Sequence, residues 1–318
     1  MLASAWGIGM RLWIALIAGL SLAAAAAAQD SPQLQRCVGT PPGDRDSQAA
    51  ACTTLIKSAK ESKETRAIAY FNRGNVYYQK GDYDRAVADY SEAIELDPGA
   101  IKAYYNRGLV YQLADELDRA IADYDKVIEL DPKYANAYDN RGNAYDDKGD
   151  HDRAITDYSW AIELDPGFAS AYYNRGLAYF RKGDNDRALA DYDKAIELDP
   201  KDALNYSKRG AVYEGKGDYD RAIADYSEAI ARDANNAGYY NNRAWAYFKA
   251  GKAADGLPDA ERSLALRPND ASALDTRGNI FEALGRKKEA IADFRRALAK
   301  DPSLLSSKDA LKRLGAKP

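Results

Sequence analysis

The chain reads as an all-α solenoid of seven 34-residue helix-turn-helix repeats, and three observations predict it. Arg-Gly recurs at 73–74, 107–108, 141–142, 175–176, 209–210 and 277–278, with Arg243-Ala244 in the one gap. Proline keeps the same interval at Pro98, Pro132, Pro166, Pro200, Pro268 and Pro302, with Ala234 as the exception. Between these markers apolar and small residues fall three and four apart, at Tyr70, Gly74 and Tyr77 and then at Ala86, Tyr90, Ala93 and Ile94.

The elements follow in order within the first full unit, 67–100. Gly81-Asp82 breaks the helical pattern between its halves, and Asp97-Pro98 ends the second half. Proline has no N–H and disfavours helical geometry in the residue before it, so each Asp-Pro separates two units. Gly74, Ala86 and Ala93 let two helix backbones approach, while Tyr70, Tyr77 and Tyr90 are expected in the core around them. The sixth unit departs: Ala244 stands at the glycine position, Gly256 at an alanine position, and Pro258 near the start of the second helix. Proline is tolerated in a first helical turn, so that helix is expected to begin late, near Leu257.

Tyr70, Gly74, Tyr77, Ala86, Tyr90, Ala93 and Pro98, with their equivalents in later units, make residues 67–304 resemble a tetratricopeptide repeat protein. The resemblance implies a right-handed superhelical solenoid whose first helices line a concave groove. Residues 305–318 follow the last repeat as a C-terminal capping helix and tail, with Lys308, Lys312 and Arg313 on its outer face.

Residues 1–28 have the layout of a secretory signal peptide. Arg11 precedes an apolar run over 12–28 that ends at Gln29-Asp30 with an Ala-x-Ala site. An uncleaved anchor is the alternative, although 12–28 is short for crossing about 30 Å of hydrocarbon. Export predicts a periplasmic or secreted protein of exported bacterial type. In such a compartment the two cysteines, Cys37 and Cys52, most simply pair as a disulfide. That bond would staple an N-terminal cap, 29–66, whose segment 44–56 reads as the second helix of a degenerate repeat.

Composition argues against catalysis. The chain has one histidine, His151, no glycine-rich phosphate loop and no metal-ligand cluster, so no enzyme activity, cofactor or metal is expected. Residues 67–236 are acidic and 237–318 basic. Phosphate attraction needs a basic stripe, so the main body is not expected to bind nucleic acid, and no membrane span is expected after signal cleavage. An arginine precedes every packing position, and an aspartate follows sixteen residues later, from Arg73 and Asp89 to Arg277 and Asp293. This spacing predicts a ladder of structural ion pairs.

The remaining candidates for recognition lie on the first helices. Asn72, Asn106, Asn140, Asn174 and Asn242 repeat at one position, with Lys208 and Thr276 substituting. An asparagine amide can both donate to and accept from a peptide backbone. In glycosyltransferases carrying similar repeats an asparagine ladder holds extended peptides, and the resemblance implies that role here. Phe71, Tyr78, Tyr105, Tyr173, Phe180, Trp245 and Phe248 fall at groove-facing offsets as candidate anchors. The lysine-and-asparagine clamp of chaperone-tail binders in this family is missing, with Phe71, Asn75, Asn136 and Asn140 at its positions. The sequence thus predicts a protein-protein interaction scaffold or adaptor of the bacterial envelope, its partners other proteins or peptides. A self-associating assembly protein and a non-catalytic accessory subunit of an envelope enzyme remain open as alternatives.

Overall fold

The computed structural model describes residues 31–39 and 44–317, and the expected signal segment 1–28 lies outside them. Among the described residues all regular structure is helical, and none of the helices is long and apolar enough to cross a membrane. The chain divides into two compact units, 1–165 and 166–318.

The first unit opens with α1 (Pro32–Cys37) and α2 (Arg45–Lys57). Three antiparallel pairs follow: α3 (Lys63–Gln79) with α4 (Tyr83–Leu96), α5 (Ile101–Leu113) with α6 (Leu117–Leu130), and α7 (Ala135–Asp147) with α8 (His151–Leu164). The second unit holds four pairs and a terminal helix. These are α9 (Ala169–Arg181) with α10 (Asn185–Leu198), α11 (Ala203–Gly215) with α12 (Tyr219–Arg232), α13 (Ala237–Lys249) with α14 (Ala253–Leu266), α15 (Ala271–Ala283) with α16 (Lys287–Lys300), and then α17 (Leu305–Arg313). Within each unit successive first helices pack on one another, α3 on α5 and α5 on α7, and α9 through α15 in turn. Within each unit a second helix also packs on the first helix that follows it, as α4 does on α5 and α12 on α13.

The turns recur at fixed places in the repeat. Six of the seven first helices run into a glycine at positive φ, Gly81, Gly149, Gly183, Gly217, Gly251 and Gly285, and Asp115 takes the same left-handed conformation at φ 60°. Asp82, Asp150, Asp184 and Asp218 then cap the second helices by accepting from the backbone N–H three residues on. At the far end Asp97 Oδ1 accepts from Gly99 N at 3.0 Å, and Asp131, Asp199, Asp233 and Asp301 repeat the contact. This aspartate turn survives at Asp233, which is why Ala234 can replace the proline there.

Packing is set by one glycine–aromatic contact in six of the seven pairs. A Cβ on Gly74 would lie 2.8 Å from the Tyr90 ring, and on Gly278 2.6 Å from the Phe294 ring. Tyr90, Tyr124, Tyr158, Tyr192, Tyr226 and Phe294 are accordingly among the most deeply buried side chains. In the sixth pair Ala260 occupies the aromatic position, so Ala244 fits without the glycine. The close approach moves to Gly256, where a Cβ would lie 2.8 Å from the Ala244 carbonyl oxygen.

The expected late start of α14 is not found. The helix begins at Ala253 and carries Pro258 in its interior. Pro258 and Ala254 are both exposed, so water can satisfy the carbonyl that the missing N–H leaves unpaired. Tyr70 and Tyr77 are less buried than expected. Tyr90 is fully buried, but Tyr70 and Tyr77 are half-exposed and flank the Arg73 guanidinium at 5.5 and 5.8 Å. Tyr77 packs against the Ala86, Tyr90 and Val110 cluster at the edge of the core, and both rings also cover a charge.

The ion-pair ladder forms within every pair. Arg73 donates from Nε and Nη2 to the two oxygens of Asp89, each at 2.8 Å, and the bidentate pattern repeats through Arg277 and Asp293. The aspartates retain only 4–10% exposure. The remaining guanidinium nitrogen reaches back one pair, as from Arg107 to Ser91 at 2.8 Å and from Arg209 to Asp193 at 2.6 Å. One side chain therefore ties two helices of its own pair to the pair before it.

Both ends are covered. Cys37 and Cys52 form a disulfide between α1 and α2, inside a cluster with Leu34, Ala51, Leu55 and Ala69. At the other end Ala310 and Leu311 of α17 bury against Phe281 and Phe294, while Lys308, Lys312 and Arg313 are exposed.

Candidate protein-binding groove

First helices pack on one another within each unit, and two clefts along them are lined by four of the candidate residues, Phe71, Asn72, Asn242 and Trp245. In the first unit α3 and α5 enclose a cleft of about 560 Å³ with a largely apolar lining. Phe71 and Asn72 line it with Ile68, Ile101, Tyr134 and Val38. Val38 is 42% exposed and directly follows the disulfide cysteine of α1, so the cap forms one wall of the cleft. Glu64, Asp97 and Asp131 stand around it, with Lys102 the one basic lining residue.

The aromatic candidates each keep one side against their own pair. Phe71 packs 6.0 Å from Tyr90, Tyr105 6.0 Å from Tyr124, and Tyr173 5.9 Å from Tyr192, measured between ring centroids. Tyr105 also meets Tyr134 at 5.2 Å. Burial pushes the Tyr105 and Tyr173 hydroxyls up to about 12. Phe180 packs with Tyr173 and Tyr179 around Ala188 and Tyr192. Trp245 and Phe248 lie 5.1 Å apart on α13, with Phe248 against Ala244, Ala253 and Ala260. Tyr78 is 36% exposed and pairs with Tyr83.

The asparagine position is half-buried throughout and does more than face solvent. Asn72 Nδ2 donates to the Ile68 carbonyl of its own helix at 2.8 Å. Asn106 Nδ2 donates to Asn75 Oδ1 at 2.8 Å, an oxygen that also accepts from the Tyr90 hydroxyl. Asn140 Nδ2 donates to the Tyr105 hydroxyl at 2.7 Å. Asn106 and Asn140 thereby join neighbouring first helices. Asn174 is half-buried on α9, and Asn242 lines a second cleft, about 340 Å³, between α11, α13 and α15.

That second cleft has a different lining. Trp245 and Asn242 share it with Asn241, Glu214, Asp275, Thr276 and Tyr226. The sequence reading missed Asn241, Glu214 and Asp275, although the repeat could have shown them. Asn241 and Asp275 stand at the offset of Phe71, and Glu214 at the offset of Tyr78. Polar residues at positions that carry aromatics elsewhere were the available signal.

Family models of the tetratricopeptide repeat match 74–115 and 215–251, 140–203 and 241–304, 101–134, and 123–156 and 191–224. Together they run from 74 to 304 without a gap. The chain belongs to the tetratricopeptide repeat family. Among solved structures it is similar to a tetratricopeptide repeat protein from Parabacteroides merdae, at 23% identity and a TM-score of 0.61 over 78% of this chain and 98% of that one. It is similar to a chain of the APC/C hetero-tetramer Cut9–Hcn1 at 19% identity and a TM-score of 0.61, over 96% of this chain and 58% of that one. YrrB, described as a protein with an unusual peptide-binding site, aligns at 24% identity and a TM-score of 0.50, over 58% of this chain and 95% of its own. At these identities the likeness concerns the tetratricopeptide fold alone. A search of curated protein sequences finds no match to this chain.

Proposed function

We propose that this tetratricopeptide repeat protein is a scaffold or adaptor that binds an extended peptide or a helical segment of another protein along its first-helix groove. The observation that carries the proposal is the 560 Å³ cleft of α3 and α5, where Phe71, Ile68, Ile101 and Tyr134 leave an apolar floor beside polar Asn72. Apolar pockets edged by a few hydrogen-bonding groups hold side chains in the pocket and backbone at the edge. The peptide-binding site described for YrrB lends the reading support by analogy of fold. The apolar run over 12–28 and the cystine at 37 and 52 support placement in the envelope or outside the cell, with the signal segment removed. No catalytic role is proposed.

The test is affinity capture from an envelope fraction, comparing the wild type with a Phe71→Ala/Tyr134→Ser variant whose circular dichroism is unchanged. A defined partner retained by the wild type and lost by the variant is expected. Identical captures would remove the groove from the account. N-terminal sequencing of the exported protein checks the processing site separately.

A further inference from the structure

The cleft of the second unit brings hydrogen-bond acceptors of three helices together beside apolar Ala211, Leu304 and the Trp245 ring. Glu214 projects from α11 and Asp275 from α15, and the Asn241 side-chain oxygen on α13 is buried without a hydrogen-bond partner. Seven buried aspartates of this chain face a guanidinium of their own pair. Glu214 and Asp275 do not. Glu214 is half-buried and accepts from the Tyr226 hydroxyl at 2.9 Å. Asp275 is 8% exposed and accepts only from neutral groups, Ser306 at 3.0 Å, Ser307 at 2.5 Å and Asn279 at 3.2 Å. A carboxylate withdrawn from water without a cation is costly, which marks this spot as one built for something other than stability. Burial pushes the Glu214 carboxyl upward, with the Tyr226 hydrogen bond and the Lys249 charge opposing it.

Trp245 completes the cleft. Its ring already takes a cation, since Lys249 Nζ lies 5.7 Å from its centroid at the rim. Acceptors from three helices plus an indole face match a ligand group that only donates and carries positive charge. Ammonium and guanidinium groups are the protein side chains of that kind.

We infer that the α11–α13–α15 cleft is a recognition pocket for a lysine or arginine side chain of the bound peptide. Glu214 and Asp275 supply the counter-charge, Asn241 an acceptor and Trp245 the face on which the cation lies. The inference rests on the groove reading above and adds a sequence preference to it. The cleft of the first unit takes an apolar side chain, while this one takes a basic side chain.

The experiment is calorimetric titration of the full chain with a fixed set of short extended peptides. They share one flanking sequence with an apolar residue at one end and vary a single site among arginine, lysine, norleucine and glutamate. The expected result is binding about tenfold tighter for arginine or lysine than for norleucine, and weakest binding for glutamate. Glu214→Gln is expected to erase that difference. Lys249→Met, at the exposed rim, is expected to tighten the basic peptides by removing a competing cation, and it keeps the test open should Glu214→Gln unfold the unit. Equal binding of arginine and norleucine peptides overturns the inference and leaves the groove reading standing. So does a preference that Glu214→Gln and Lys249→Met both leave unchanged. Failure of every peptide to bind overturns both.

Discussion

At the scale of single residues, the glycine before each buried aromatic is the tightest constraint in the chain. A methyl at Gly278 would stand 2.6 Å from Phe294, whose ring is fully buried between helices and has no open side. Gly278→Ala is therefore expected to destabilise the protein by about 1–3 kcal/mol, the usual cost of overpacking. Urea melts of Gly278→Ala, Phe294→Ala and the double variant check it. Strong positive coupling between the two sites is expected, because Ala244 and Ala260 already coexist in the sixth pair. Asp115 makes the converse case, a residue with a side chain where the other turns have glycine. It holds φ at 60°, so Asp115→Gly is expected to stabilise by about 1 kcal/mol, read as a higher thermal midpoint.

At the scale of elements, helix boundaries follow from caps rather than from proline alone. Pro258 sits inside α14 because its exposed face lets water replace the lost backbone bond. Pro258→Ala restores an N–H to that turn and is expected to stabilise the second unit by about 1–2 kcal/mol, after allowing for greater freedom in the unfolded chain. Denaturant midpoints with an unchanged slope would bear this out. The repeat period made most of this architecture legible: helix pairs, turns, ion-pair ladder and terminal helix all keep a fixed offset from Arg-Gly. Sequence reading failed where one position compensates another. Ala244 looked like a defect until Ala260 was seen opposite, and Tyr77, expected in the core, packs at its edge with two guanidiniums, Arg73 and Arg85, over its ring. Such pairings are set by three-dimensional neighbours sixteen or fewer positions away, on the same or the facing helix. Apolar periodicity does not report them. The groove was legible in part: the offsets of Phe71 and Trp245 were visible, but the inter-helix bonds of Asn106 and Asn140 were not.

At the scale of the whole molecule, stability in a repeat array is local, each pair depending on its neighbours. Reducing the Cys37–Cys52 bond should therefore loosen α1 and α2 and the adjoining cleft wall at Val38. The second unit should be left unaffected. The chain-entropy model gives about 3 kcal/mol for a loop of this length, so a Cys37→Ser/Cys52→Ser variant is expected to lose the cap first on heating. Fast backbone exchange confined to α1 through α3 would show it. Charge is distributed on the same scale, with 67–236 acidic and 237–318 basic, and the cleft between α11, α13 and α15 draws Glu214 from the acidic stretch and Asp275 from the basic one. Local lining, rather than regional net charge, is what a bound side chain meets. The measurement that tests the account most directly is hydrogen exchange of the full chain with and without its captured partner segment. Binding along the groove predicts protection at the first helices, α3 and α5 foremost, with α4 and α6 unchanged. Protection confined to the second helices, or to the two terminal caps, would contradict it.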